Sequence, residues 1–270
     1  MFQAFIRRTA IYASIAAMAP KTFAAFQLWF WVSLVLNSIG MTIFFFFWKA
    51  VYADTNAIAG LSLTQTLTYI LLAQVFTPLT EQDLIWEFGY GIREGLIVHM
   101  LLRPVDFQGY YYAQALGRLL TGLVLQIPVA LVATLVFGLQ WPTDPGAWGA
   151  FAVSALLGHA IMFFFHWCLA SLTFYTTEVW GLGVLIFGLT LFFSGGFVPL
   201  AIMPDWLRTL VLAIPFAQAL AIPLNFLSGI TPVVQAPLVW LTQLAWLGGM
   251  WLLSRAVFGQ AVKKITVQGG

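Results

Sequence analysis

Charged side chains are rare in this 270-residue chain, so each one is a candidate for chemistry. The densest group runs from Gly91 to Arg118, GIREGLIVHMLLRPVDFQGYYYAQALGR, where Arg93, Glu94, Arg103, Asp106 and Arg118 interrupt two long apolar runs. Against an apolar background, such an island suits contact with something outside a bilayer. His159 and His166, seven apart, lie on one helical face of a later apolar run. Ionisable groups inside a membrane are functional suspects. A proton relay wants acids at similar depth, and the nearest, Glu178, sits at the run's end. Structural histidines bonded to another helix are therefore favoured. A zinc site is disfavoured, because no Cys/His/Asp cluster accompanies them. Glu81, Asp83 and Glu87 leave two readings open: a polar gate or partner contact, or a solvated helix end pairing with Arg93 or Arg118.

The elements that carry these residues follow from composition. Hydrophobic residues make up 61% of the chain and charged residues 7%, with a mean hydropathy of +0.94. Soluble domains carry about 25% charged residues, and a chain this apolar would expose too much hydrocarbon to water. The net charge of +2 argues against nucleic acid as a partner. The single cysteine, Cys168, excludes an intrachain disulfide. The N-terminus lacks the basic, apolar and small-residue order of a signal peptide and reads as part of the mature protein.

An all-α integral membrane protein is expected, as one domain over 1–270 with six spans near 26–48, 63–84, 119–139, 148–175, 179–200 and 239–258. With both termini on one side, Arg7, Arg8, Lys21, Arg93, Arg103, Arg118, Arg255, Lys263 and Lys264 share that side, and only Lys49 and Arg208 lie opposite. This bias places the termini in the cytoplasm. Residues 1–21 mix Arg7, Arg8 and Lys21 with Phe2, Phe5, Ile6, Ile11 and Ile15, which suits a helix lying in the interface. Five prolines between Pro199 and Pro232 break an apolar stretch into pieces too short to span. Residues 201–229 are expected to form an outer re-entrant hairpin of two short helices, broken near Pro215, with Asp205 paired to Arg208.

The order of these parts resembles the six-span permease subunit of ABC exporters of drugs, polysaccharides and lipids, over essentially the whole chain. The residues that carry the resemblance are Arg93-Glu94-Gly95-Leu96, His99–Arg103, Pro104-Val105 and Gly117-Arg118. Ser194-Gly195-Gly196, Val198-Pro199, Pro215-Phe216 and Ser228-Gly229 add to it. Trp48–Tyr52, Gly60–Leu63 before Tyr69, and Leu101–Phe107 resemble a bacterial paired-permease subfamily that includes viologen exporters.

The resemblance implies a coupling helix at Ile92–Leu102, gripped by an ATPase through Arg93, Glu94, Gly95, Leu96, Ile97, His99, Met100 and Arg103. It implies a substrate path between two permeases. Tyr69, Ala73 and Phe76 of the second span and Phe187, Leu191 and Phe193 of the fifth are its positional candidates, and the same aromatics facing lipid is an equal reading. The chain itself has no G-x-x-x-x-G-K-[ST] motif, so it is not expected to be an enzyme or to bind a cofactor. ATP and Mg would belong to a separate ATPase subunit, in two copies, with a second, homologous permease favoured over self-pairing. The implied setting is a prokaryotic inner membrane, and the implied cargo a hydrophobic, amphipathic or cationic small molecule or lipid moved outward. A secondary carrier, or less so an intramembrane hydrolase using Ser194, is the competing class.

Overall fold

The computed structural model describes residues 10–18, 20, 27–176 and 179–264. Of the interfacial reading, Arg7, Arg8, Lys21, Phe2, Phe5 and Ile6 lie outside the described residues, as does Glu178. Residues 10–16 are helical. They run along α5 (Phe107–Leu125), where Tyr12 faces Gly109 and the Ala16 backbone occupies the space a Cβ at Gly117 would need.

Among the described residues, the regular structure is helical apart from one hairpin. α1 (Gln27–Val51) leads into β1 (Ala57–Ile58) and β2 (Leu61–Ser62), joined by Ala59 and Gly60, both at positive φ. That is the geometry of a two-residue hairpin turn. The WKAVY residues pin it: Trp48 and Tyr52 are buried, and the Tyr52 hydroxyl donates to the Leu61 carbonyl and lies 2.7 Å from Thr66 Oγ1. α2 (Leu63–Val75) then starts with a capping box, Ser62 accepting from the Gln65 N–H and Gln65 from the Ser62 N–H.

Among the described residues, four stretches are long and apolar enough to cross a membrane: Trp31–Val51, Phe107–Leu135, Pro145–Phe174 and Val233–Lys264. A bent pair, α9 (Asp205–Leu212) with Phe216–Leu227, would make five. The expected second span is interrupted instead. α2 stops at Val75, a 3-10 turn holds Thr77–Leu79, and α3 (Leu84–Arg93) begins after the non-helical residues 81–83. Pro78 cannot donate to the helical ladder, which accounts for the stop. The expected fifth span ends early too. α8 (Val179–Phe193) gives way to Gly195 at φ 85°. At 1.5 Å per residue these helices reach about 20 and 22 Å, short of the roughly 30 Å hydrocarbon layer.

The third expected span starts twelve residues sooner than charge suggested. α5 begins after Asp106, whose carboxylate caps the Gly109 N–H at 2.6 Å, and continues through α6 (Ile127–Leu135). Half of the charged island is therefore the first turns of a membrane helix. α7 (Pro145–Ala170) is the central post, with α3, α10 (Phe216–Ala219), α11 (Ala221–Leu227) and α12 (Ala236–Ala261) packed on it. The α10–α11 pair comes close only because Gly158 has no Cβ to meet the Gln218 carbonyl. Gln243 of α12 donates to the carbonyls of Ser154 and Gln218 at 3.1 and 3.3 Å, joining all three elements. The bend between α9 and α10 falls at 213–215, with the two halves at 76°. The expected Arg208–Asp205 pair forms at 2.5 Å.

Candidate functional site: an exposed knuckle and an acidic cleft

The expected single helix over 92–102 is two helices. α3 ends at Arg93, Gly95 adopts φ 68°, and α4 (Leu96–Leu101) turns away. Glu94 N–H donates to the Tyr90 carbonyl and Gly95 N–H to the Ile92 carbonyl, closing the end of α3. A glycine in left-handed geometry after a basic last turn is a helix stop legible in the sequence. The result is a knuckle. Arg93, Glu94, Gly95, Leu96, His99, Leu102 and Arg103 are exposed on it, while Ile97 is buried as its anchor. Leu102, next to Arg103, is 77% exposed. Met100 turns inward, where its sulfur accepts from the Tyr111 hydroxyl. The Arg103 guanidinium lies over the Tyr110 ring at 5.3 Å.

Behind the knuckle the structure is stiff. Phe88 of α3 packs against Phe107, Tyr111, Trp167 and Phe258, rings from α5, α7 and α12. Glu87 pairs with Arg118 across α3 and α5. Desolvation pushes the Glu87 carboxyl up and the Arg118 guanidinium opposes it, with a net rise. At the exit, Arg255 of α12 grips both oxygens of Asp106 at 2.8 and 3.1 Å, and Gln108 donates to Ser254 at 2.8 Å. Partial burial raises the Asp106 carboxyl, but Arg255 and the Gly109 N–H outweigh it and hold the group below its ordinary range. Sequence reasoning missed this tie between the knuckle and the last membrane helix. Its partners lie nearly 150 positions apart, and the only hint was an acid and a base at neighbouring span ends.

The second feature is a cleft of about 250 Å³ between the 80–86 segment and α8. Glu81, Gln82, Asp83 and Trp86 line it from the 80–86 segment, Phe187, Thr190 and Leu191 from α8, and His166 from α7. Glu81 and Asp83 are exposed, and of the two histidines only His166 lines the cleft with them. His159 is bonded across elements as expected, its Nδ1 lying 3.3 Å from both the Leu79 carbonyl and Gln82 Nε2. His166 is not: its Nδ1 meets the Met162 carbonyl of its own helix at 3.0 Å. Of the path candidates, Phe187 and Leu191 line the cleft. Phe193 packs on Phe216 and Phe76 on Phe151. Tyr69 and Ala73 are fully enclosed, and the Tyr69 hydroxyl donates to the Gly195 carbonyl at 3.1 Å. Among the described residues no group of three or more His, Cys, Asp or Glu could hold a metal.

No curated protein and no solved structure matches the chain. A family model described as ABC-2 family transporter protein matches residues 38–269, from within α1 to the C-terminal end, and so spans the knuckle, the cleft and every described membrane helix after the start of α1. The chain belongs to the ABC-2 transporter family and is a multi-pass membrane permease subunit of an ABC transporter, a kind of subunit that works with an ABC ATPase.

Proposed function

We propose that this permease is half of an exporter, and that its knuckle is the handle by which a separate ATPase drives it. The observation that carries the reading is the exposed face of Arg93–Leu96, His99, Leu102 and Arg103 on a base stiffened by Phe88 and tied to α12. An exposed leucine on a face that also carries Arg93, Glu94 and Arg103 suits the centre of a small interface with a polar rim. A rigid base matters because a push is transmitted only by elements that do not yield. When the ATPase closes on ATP and Mg, force at Glu94 and Leu102 reaches α5 and α12 together through Asp106 and Gln108. The permease shifts between inward- and outward-facing populations as a result.

The finer reading keeps six spans, with α2 and α8 as short second and fifth spans, and the bent α9–α11 segment as an outer re-entrant hairpin. Both termini are cytoplasmic in an inner membrane. Two ATPase copies and a second, homologous permease complete the assembly, in the manner of the paired permeases that include viologen exporters. The path lies beside α8, with Phe187 and Leu191 as its best-placed residues. The cargo is apolar, amphipathic or cationic.

The test is reconstitution with the partner ATPase in proteoliposomes. Glu94→Lys and Leu102→Asp should each weaken co-purification with the ATPase and abolish ATP-driven accumulation of cargo on the side away from it. Wild-type thermal stability would show that the permease is intact. Full transport by both variants would remove the knuckle from the mechanism.

A further inference from the structure

Two glycine notches join the knuckle helix α3 to α8. A Cβ built on Gly89 of α3 would lie 2.5 Å from a γ carbon of Val179 and 2.8 Å from its Cβ. A Cβ built on Gly183 of α8 would lie 2.7 Å from Trp86 Cε2 and Cη2. Each helix thus sets a side chain into the other's notch: Val179 against Gly89, and Trp86 against Gly183. Carbon atoms in contact sit about 3.5–4.0 Å apart, so a methyl group in either notch would force its neighbour back by roughly 1 Å. Val179 cannot turn aside, because its own Cβ, fixed to the backbone, is one of the atoms met. Glycine weakens a helix interior relative to alanine, and close approach is what these two positions gain. Gly181 and Gly188 of α8 gain none, since a Cβ on either meets nothing within 4 Å.

The notches lie at one end of α8. Its buried residues, Val179, Gly183, Ile186 and Thr190, form one seam at helical spacing, while Trp180, Leu185 and Phe187 are exposed. Among the described residues, α8 packs mainly on α3 and, at its far end, on α10. Val179 and Ile186 share a core with Phe88 of α3 and Ile97 of α4, apart from the core that holds α1 and α2. The far end is held differently. Gly195 follows at φ 85°, its carbonyl accepts from the Tyr69 hydroxyl, and the Ala221 N–H donates to the Ser194 carbonyl at 3.0 Å. One end of α8 is clamped to the knuckle helix, and the other turns on a glycine anchored to α2 and α11.

We infer that α3 and α8 form one lever. Displacing the knuckle carries the Val179–Gly183 end of α8 with it, and α8 swings about Gly195. Gly89, Val179, Trp86 and Gly183 are positioning residues for that swing. The motion reaches Phe187 and Leu191, the path candidates that line the cleft. That an ATPase supplies the displacement rests on the knuckle reading; the joint itself does not.

Spin-label distances test both parts. The full chain carries Cys168→Ser and, in pairs, Tyr90→Cys on α3, Leu185→Cys on α8 and Ile43→Cys on α1, all at exposed positions. In nanodiscs without ATPase or nucleotide, Gly89→Val should lengthen the 90–185 distance by roughly 1 Å or more. Adding Val179→Gly, which swaps knob and notch, should bring it back. Gly183→Val with Trp86→Ala is the second such pair. Gly181→Val and Gly188→Val should keep the wild-type distance. Wild-type distances in both Gly89→Val and Gly183→Val overturn the joint, as does equal lengthening in Gly181→Val. A variant that does not fold should be rescued by its paired replacement, and failure of both pairs to recover also overturns the joint. With the partner ATPase, the nucleotide-free complex is compared with one trapped by ATP, Mg and vanadate. The 90–43 and 185–43 distances should change together while 90–185 holds. If position 90 moves and 185 stays behind, the lever is wrong and the knuckle reading survives. If position 90 does not move, the knuckle reading fails, and the joint still stands or falls by the first comparison.

Discussion

Replacing Gly95 tests whether the bend between α3 and α4 transmits force. Gly95 sits at φ 68°, ψ 6°, and a Cβ built on it meets nothing within 4 Å. Substitution therefore adds no clash, only backbone strain. An alanine in left-handed geometry costs roughly 1–2 kcal/mol, whereas asparagine visits that region readily. A penalty of that size shifts the balance between the turned and unturned knuckle by a factor of roughly 5–30. Gly95→Ala should thus cut coupled transport several-fold, Gly95→Val more, and Gly95→Asn least. ATP hydrolysis should persist, and the melting temperature should fall little, because the bend is exposed and outside both main cores. The assay is ATP hydrolysed per cargo moved in proteoliposomes for all three variants. If alanine and asparagine were equally impaired, the cause would be the added side chain at the ATPase surface, and the backbone argument would fail. If all three behaved like wild type, the bend would have no role in coupling.

Three further outcomes follow from the packing. At Gly195 (φ 85°) a Cβ would lie 2.7 Å from the Tyr69 hydroxyl and 2.8 Å from Ala221 Cβ, so Gly195→Ala should destabilise by about 1–3 kcal/mol through overpacking, with strain added. Tyr69→Phe should cost only about 0.5–1.5 kcal/mol for its lost hydrogen bond; thermal unfolding in detergent orders the two. The Glu87–Arg118 pair is about 30% exposed on each side, so Glu87→Gln or Arg118→Met alone should cost about 1–3 kcal/mol and the double replacement less than their sum, as a double-mutant cycle would report. For Asp106 the folded carboxyl titrates below its ordinary value of 3.8. Its stabilisation is present above that value and is lost as pH falls through the lower folded value. Asp106→Asn should therefore lower the melting temperature at pH 7, and the gap to wild type should close below pH 4.

The membrane character was legible in composition, and the two outermost helices were legible in uninterrupted apolar length. The bent segment was legible too, because Pro204 and Pro215 act locally on the backbone. The early ends of α2 and α8, inside the expected second and fifth spans, were not. Their apolar runs continue past Val75 and Phe193, so hydropathy cannot mark where Pro78 and Gly195 stop the helices. The start of α5 was misjudged for the opposite reason. Arg118 looked like a boundary, yet its partner Glu87 on α3 lets it sit within a helix. The knuckle segment was singled out by its charges and by the resemblance to exporter permeases, and the stop at Gly95 could have been read from the glycine itself.

The sequence alone determined that this chain lives in a membrane and carries a charged island between apolar runs, because composition and patterning need no third dimension. Only the tertiary structure decided what the scattered charges do. It brought Arg255 to Asp106 across more than half of the chain and Arg118 to Glu87 between α5 and α3. Such pairings arise because a charge near lipid is stable only when the fold delivers a partner, and no local rule of sequence says which one.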